Sequence, residues 1–216
     1  MKITAIKPQA LPEVVALTFG RFLDERGYFT ETIRIQDLKT IPKLPALHDF
    51  AFHQINESVS QKNVIRGLHF QWNPHMGKLV RALEGSLIDV ALDIRPESPN
   101  FGKAVTYTLR YDVTASEQDW LWIPPGFAHG FVALNNPTRM EYICTGFWNP
   151  QCELGIKITD PRIDWSLADT DEVAHIQSLM KNDTAIMNTK DKEGLTLEAW
   201  KAHDRLHDFT QSLPKS

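Results

Sequence analysis

Two stretches of the chain carry side chains suited to acid–base chemistry: VIRGLHFQWNPHMGK over residues 64–78 and WIPPGFAHGF over residues 122–131. They offer Arg66, His69, Gln71, His75, Lys78 and His129 on segments that otherwise read as buried strands. Burying an unpaired neutral polar group costs roughly 2–7 kcal/mol, so these groups lie at the surface or line a cavity. A lone histidine is more often a satisfied core or surface residue, but two polar-studded strands in one chain point to a site. Moving a proton next to a carbonyl needs a base, a donor that holds the enolate oxygen, and an acid on the opposite face. His69 can be the base, Lys78 the enolate donor, and Tyr142, in MEYICTGFWNPQCELG, the acid. The residues alone leave open whether His69 or His129 does the chemistry.

The elements that must position these groups are strands. From Ile3 to about Trp165, short apolar segments alternate with Gly, Pro, Asn and Asp punctuation, the pattern of many short antiparallel strands. Leu79–Leu83, Leu87–Ile94, Val105–Leu109, Trp120–Ile123, Phe131–Leu134 and Met140–Thr145 are the clearest. In SLIDVALDIR, Ile88, Val90, Leu92 and Ile94 share one face, and Leu87, Asp89, Ala91 and Asp93 the other. One face is expected to pack and the other to be partly wet, which favours a two-sheet jelly roll with a polar lumen. The prolines and Gly126 of WIPPGFAHGF form a rigid turn that delivers His129 onto the next strand. After Trp165, DTDEVAHIQSLMKN and TLEAWKAHDRLHDF begin with Asp or Thr caps and read as surface helices. We expect an all-β protein with a few peripheral helices, mainly C-terminal: one domain over 1–216, with a barrel core to about 165 and a helical tail from 166.

Composition narrows the partners. The chain has 216 residues, 42% hydrophobic, with 23 Lys and Arg against 27 Asp and Glu, a net charge of −4. That is enough for a substantial core, and it gives no general attraction to nucleic acid or to an anionic membrane. Pro8, Pro12 and Glu13 interrupt the N-terminal apolar residues before a signal-peptide core forms, so a cytoplasmic location is expected. Cys144 and Cys152 are too few for a disulfide framework and are expected as thiols.

Gly67, His69, Gln71 and the Pro124–His129 turn partly resemble the two motifs of metal-binding cupins. The likeness fails at the ligands. A site of that kind wants three or four histidine or carboxylate donors, whereas Gln71 stands where the second histidine would be and no glutamate follows. The nearby cation of Lys78 further disfavours a dication, so no metal or other cofactor is expected.

The segments FLDERGYFTE, HQINESVS, NVIRGLHFQ, GKLVRALEGSLIDVALDIRPESPNFG, LWIPPGFAHGF, Tyr142–Glu153, DPRIDW and TKDKEGLTL occur in one order between Phe22 and about Leu197. In this order they resemble the dTDP-4-dehydrorhamnose 3,5-epimerase family. The resemblance implies a cupin-type double-stranded β-helix, working as a homodimer without metal. It implies His69 as general base, Tyr142 as general acid, Asp191 as the carboxylate that orients the histidine, and Lys78 beside the sugar ketone. A carboxylate in that position fixes the imidazole tautomer and raises its basicity. Arg26, Glu31, Gln54, Asn56, Arg66, His129, Trp148 and Glu153 resemble substrate-binding positions, Arg66 being suited to a diphosphate by its planar fork. The implied reaction inverts C3 and C5 of dTDP-4-dehydro-6-deoxy-D-glucose through an enolate. Rival readings are a 3-epimerase or ketoisomerase of a related 4-keto-deoxysugar nucleotide, a metal-dependent cupin, and a non-enzymatic sugar-binding module.

Four departures from the family pattern stand out. FQWNPHMG, between His69 and Lys78, is about one residue short and has Met76 where glutamine is common; Phe147–Trp148 replaces a pair usually tyrosine. Ile55 stands where aspartate is frequent. The tail inserts a charged helix before TKDKEG, and residues after Trp200 match nothing in the family.

Overall fold

The computed structural model of the chain describes residues 3–39, 41, 51 and 53–213. Strands β1 (Ile3–Pro8), β2 (Val15–Gly20), β10 (Glu117–Ile123), β7 (Lys78–Glu84), β12 (Thr138–Cys144) and β5 (Gln54–Ser60) lie side by side, in that order, in a six-stranded sheet. A second sheet has the order β13 (Glu153–Gly155), β6 (Ile65–Gln71), β11 (Phe127–Ala133), β8 (Ser86–Asp93) and β9 (Ala104–Arg110). Every pair is antiparallel. A hairpin, β3 (Phe22–Asp24) with β4 (Gly27–Phe29), stands apart from both sheets. This is a cupin-type jelly roll, as the strand pattern and the resemblance led us to expect.

Three apolar layers organise it. Between the sheets, Ala16, Val80, Leu87, Ala91, Val105, Leu121, Phe131 and Met140 form the inner core, drawn from both walls. Outside the six-stranded sheet, Leu17, Phe19, Trp120 and Trp122 pack with Leu38 of helix α1 (Ile35–Lys39). Outside the five-stranded sheet, Ile88, Val90, Leu92 and Phe70 pack against the C-terminal helices. The expected division of β8 into a dry and a partly wet face is therefore corrected. Both faces are dry, because helices cover one and the barrel closes over the other, and Asp89 and Asp93 are both fully buried.

The C-terminal helices are α2 (Thr170–Lys181), α3 (Thr189–Lys192), α4 (Leu197–Lys201) and α5 (Leu206–Ser212). Asp169 caps α2, accepting from Asp171 N and Glu172 N, and Thr196 caps α4, as their sequences suggested. The stretch read as one helix over 196–209 is instead broken at residues 202–205. The periodicity explains the break. At 100° per residue, positions nine apart face opposite ways, so an unbroken helix could not bury both Trp200 and Phe209. With the break, both rings are fully buried, 5.1 Å apart, against Phe70. Burying a side chain of this size contributes roughly 1.5–3 kcal/mol, which fastens the tail to the barrel. Among the described residues no helix is long and apolar enough to cross a membrane.

One local feature sets up the pocket. At Gly130 a Cβ would lie 2.3 Å from Arg66 O, and at Gly67 it would lie 2.6 Å from His129 O, so β6 and β11 approach as only glycine allows. Gly67 also has φ +104°, a value open to glycine and strained for other residues. The ladder shifts register between His129 and Phe131, with His129 opposite His69. The ordinary two-residue alternation of a strand is thereby interrupted, and Arg66 and His69, three apart, both line the same pocket.

Candidate active site

The pocket has a volume of about 290 Å³ and opens to solvent. From the five-stranded sheet come Arg66, His69, His129 and Glu153; from the six-stranded sheet come Asn56, Lys78 and Tyr142. Asp191 and Trp148 complete the expected residues that line it. Gln54 stands behind the rim, its amide oxygen accepting from Trp148 N at 2.9 Å and its amide nitrogen donating to Asn56 Oδ1 at 2.7 Å. Arg26 and Glu31 are not brought to this pocket. Arg26 sits at the tip of the β3–β4 hairpin paired with Asp24, and Glu31 is paired with Arg34.

Two histidine–carboxylate pairs stand side by side on β6 and β11. His69 Nε2 donates to Asp191 Oδ1 at 2.6 Å, an arrangement that in the neutral ring puts the lone pair on Nδ1. His129 Nε2 donates to Asp89 Oδ2 at 2.8 Å. Exposure separates them: the His69 side chain is 26% exposed and that of His129 only 3%. The first can meet a ligand atom, while the second lies beneath it. Asp191 is itself fixed from behind, since Asn188 caps α3 by accepting from Asp191 N at 2.7 Å.

The opposite wall holds the phenol and the lysine. The Tyr142 hydroxyl lies 2.8 Å from Ser58 Oγ, with its ring edge-on to His129. Burial pushes this phenol up to about 12, against the opposing influence of Ser58 and Arg66. It therefore stays protonated at neutral pH, a proton donor and not a base. Burial pulls the Lys78 ammonium below the ordinary lysine value, while Cys144, Glu153 and Asp89 pull the other way. Burial alone would raise Glu153, but Lys190, with His69 and Trp148 nearby, holds its carboxyl below the usual range. Burial lowers His129 more than Asp89 raises it, so this imidazole is neutral.

The donors do not suit a metal ion. The Gln71 amide is spent on Pro74 O, Phe147 O and Asn149 N, and the Nε2 atoms of His69 and His129 are held by carboxylates. Among the described residues, no group of three or more His, Cys, Asp and Glu is placed to hold one.

Ser58, Asn188, Cys144 and Lys190 are among the pocket and rim residues that escaped the sequence reading, with Glu57, Gly130 and Phe131. Ser58 was legible in principle, because it lies two residues beyond Asn56 on the same strand face. Asn188 stands three before Asp191, the spacing of a helix cap. Cys144 pairs in register with Lys78 across β12 and β7, and Lys190 ties α3 to Glu153; only the fold makes these two neighbours.

The barrel aims acid–base groups from both walls into one pocket, and the relatives it matches make it a cupin-type enzyme of the isomerase class, a carbohydrate epimerase. The family model for dTDP-4-dehydrorhamnose 3,5-epimerase matches residues 8–199, a longer span than the sequence segments suggested. The enzyme of that name from Pseudomonas aeruginosa is 40% identical over 171 residues, 78% of this chain and 88% of the relative. The Neisseria gonorrhoeae relative is 43% identical over 154 residues, 71% of this chain but 44% of its own length. A crystal structure of dTDP-6-deoxy-D-glucose-3,5-epimerase from Legionella pneumophila, in complex with dTDP-4-keto-L-rhamnose, superposes with a TM-score of 0.76 at 31% identity, covering 98% of each chain. The chain belongs to the dTDP-4-dehydrorhamnose 3,5-epimerase family.

The buried Asp89–His129 pair makes a stability prediction. Asp89→Ala strands a buried N–H donor, which costs about 1–3 kcal/mol, and Asp89→Asn keeps an acceptor and costs less. His129 titrates lower in the folded than in the unfolded chain, so the unfolded chain binds the extra proton first and stability falls as pH drops below about 6.5. His129→Gln should flatten that fall. Denaturant titrations at pH 7 and pH 5 read both effects; equal small losses for the two Asp89 variants would contradict the pairing.

Proposed function

We propose that this chain inverts C3 and C5 of dTDP-4-dehydro-6-deoxy-D-glucose through an enolate, giving dTDP-4-dehydro-L-rhamnose. The observation that carries the reading is the placement of His69 and Tyr142 on opposite sheets around one pocket. A proton taken from and returned to one face gives exchange without inversion, so epimerisation needs groups on both sides. His69, oriented by Asp191, removes the proton next to the ketone. Lys78 holds the enolate oxygen, where charge develops only in the transition state, and Tyr142 delivers a proton to the other face. The cation that eases the phenolate left behind is Arg66, whose charge favours that form. Arg66 keeps its orientation through Nε donating to Ser60 Oγ at 3.1 Å and Nη2 donating to Val59 O at 3.4 Å, which leaves Nη1 for a diphosphate. Trp148, exposed at the rim, offers a stacking surface for the base. The free thiols Cys144 and Cys152 support a reducing, cytoplasmic setting.

The reading includes a second copy of the chain. Arg26 and Glu31, which resemble substrate-binding positions, lie off their own pocket near a hairpin whose Phe22 and Phe29 are 64% and 68% exposed. The edge strand β5 exposes Ile55 and Val59. A homodimer in which the hairpin crosses to the partner's pocket accounts for both the apolar exposure and the distant Arg26 and Glu31.

Incubation of the protein with dTDP-4-keto-6-deoxyglucose in heavy water, followed by NMR, tests the reaction. Deuterium at C3 and C5 with inversion at both is expected, and His69→Asn should slow it by roughly 10²–10⁴ while leaving binding nearly intact. Exchange at C3 alone makes the chain a 3-epimerase, and no exchange ends the epimerase reading. Sedimentation equilibrium tests the assembly. A mass twice the 24.7 kDa of one chain, reduced to one by Phe29→Asp together with loss of turnover, is expected; a monomeric, fully active wild type contradicts it.

A further inference from the structure

Residues beyond 199 lie outside the family match, yet they close against the loop that feeds the pocket. Residues 72–77 link His69's strand to Lys78, and both Met76 and Lys78 line the pocket. Within itself the loop has an isolated bridge, Trp72 to His75, and Trp72 N donates to Cys152 O at 3.3 Å. Thr145 holds the far end, its N donating to Gly77 O at 3.0 Å and its Oγ1 accepting from Gly77 N at 2.7 Å, so side chains set the shape of the residues between. On one flank, Gln71 Nε2 donates to Pro74 O and Phe147 O, both at 2.8 Å, and Asn149 Nδ2 donates to Asn73 O at 2.7 Å. On the other flank lies α5. His75 Nε2 donates to Phe209 O at 2.9 Å, with the two rings edge to face at 5.0 Å. The Ser212 hydroxyl donates to Asp208 O in its own helix at 2.6 Å, and its oxygen lies 3.0 Å from His75 Nε2 and 3.2 Å from Trp72 O. Burial holds His75 below its ordinary value, so the ring is neutral and its single N–H is the one given to Phe209.

We propose that the C-terminal helix Leu206–Ser212 is a positioning element of the epimerase site. Through Phe209 and Ser212 it fixes His75, and with it the 72–77 loop that leads into Lys78 opposite His69. Strand β7 begins at Lys78, which pairs with Ile123 and Cys144, so a shifted loop turns the ammonium at the strand's end, while His69 and Tyr142 stay within their own strands. The break between α4 and α5 is what turns Phe209 onto the loop. The catalytic consequence rests on the proposed function; the contact with the loop does not. An ammonium needed only as charge develops on the enolate oxygen lowers kcat when misplaced and leaves KM nearly alone.

The test compares full-length Phe209→Ala, Phe209→Leu and Ser212→Ala with Leu179→Ala, a residue of α2 buried in the same apolar cluster. Amide hydrogen exchange over residues 72–78 and steady-state kinetics are read well below each Tm. Phe209→Ala should speed exchange in that loop and lower kcat about tenfold or more, with KM within about twofold. Phe209→Leu should recover most of kcat, and Ser212→Ala should show the same pattern more weakly. Leu179→Ala should lower Tm and leave kcat intact. Unchanged loop exchange in both tail variants overturns the proposal, as does an equal kcat loss in Leu179→Ala. If Phe209→Ala does not fold, Ser212→Ala and His75→Gln decide by the same comparison. A wild type without epimerase activity ends the functional reading alone, because loop exchange still decides whether the tail holds the loop.

Discussion

Where β6 meets β11, two glycines let the backbones approach to a separation that no Cβ would permit, and the pocket takes its shape from that contact. The register shift beside Gly130 sets His129 opposite His69, and the positive φ of Gly67 turns Arg66 toward the same cavity. From there the dependencies run outward. His69 needs Asp191, which arrives on a one-turn helix held by Asn188 and by Lys190 on Glu153. His129 needs Asp89, brought in register by β8. Local strand geometry thus fixes two imidazoles, and distant segments fix their carboxylates.

Burial disfavours the charged form on both walls, and this suits proton transfer. On the six-stranded wall it keeps Tyr142 protonated and makes the Lys78 ammonium less firmly charged than an ordinary lysine. On the five-stranded wall it keeps His129 neutral beneath the accessible His69. The barrel carries the cost of an ammonium, a phenol and buried carboxylates at its centre, and three apolar layers with a helical cover offset it. A pocket wall made partly of loops, as between Gln71 and Lys78, then needs support from outside, which the tail supplies on one side and the segment after Tyr142 on the other.

The barrel was legible because strand alternation is a short-range signal, and the segments bearing His69, Lys78, His129 and Tyr142 stood out as polar groups on apolar strands. What stayed hidden was non-local. Alternation places Asp89 on the face opposite Ile88, but whether that face is wet depends on the sheet closing over it, and it closes. Helix propensity runs unbroken through 196–209, yet the need to bury both Trp200 and Phe209 breaks it. Cys144 and Lys190 join the pocket or its rim only through strand register or a helix docked from the tail. Arg26 and Glu31 fit the family pattern, but one copy of the chain leaves them beside the hairpin.

The central claim is that the two walls divide the work, one taking the proton and the other returning it, and Tyr142→Phe tests it most directly. This change keeps the ring against His129 and Phe131 and removes only the donor. With dTDP-4-keto-6-deoxyglucose in heavy water, the variant should still wash deuterium into the sugar through His69 and Lys78 but form little inverted product. Inversion of both centres at the wild-type rate would contradict the account, since the second wall would then have no part in the chemistry.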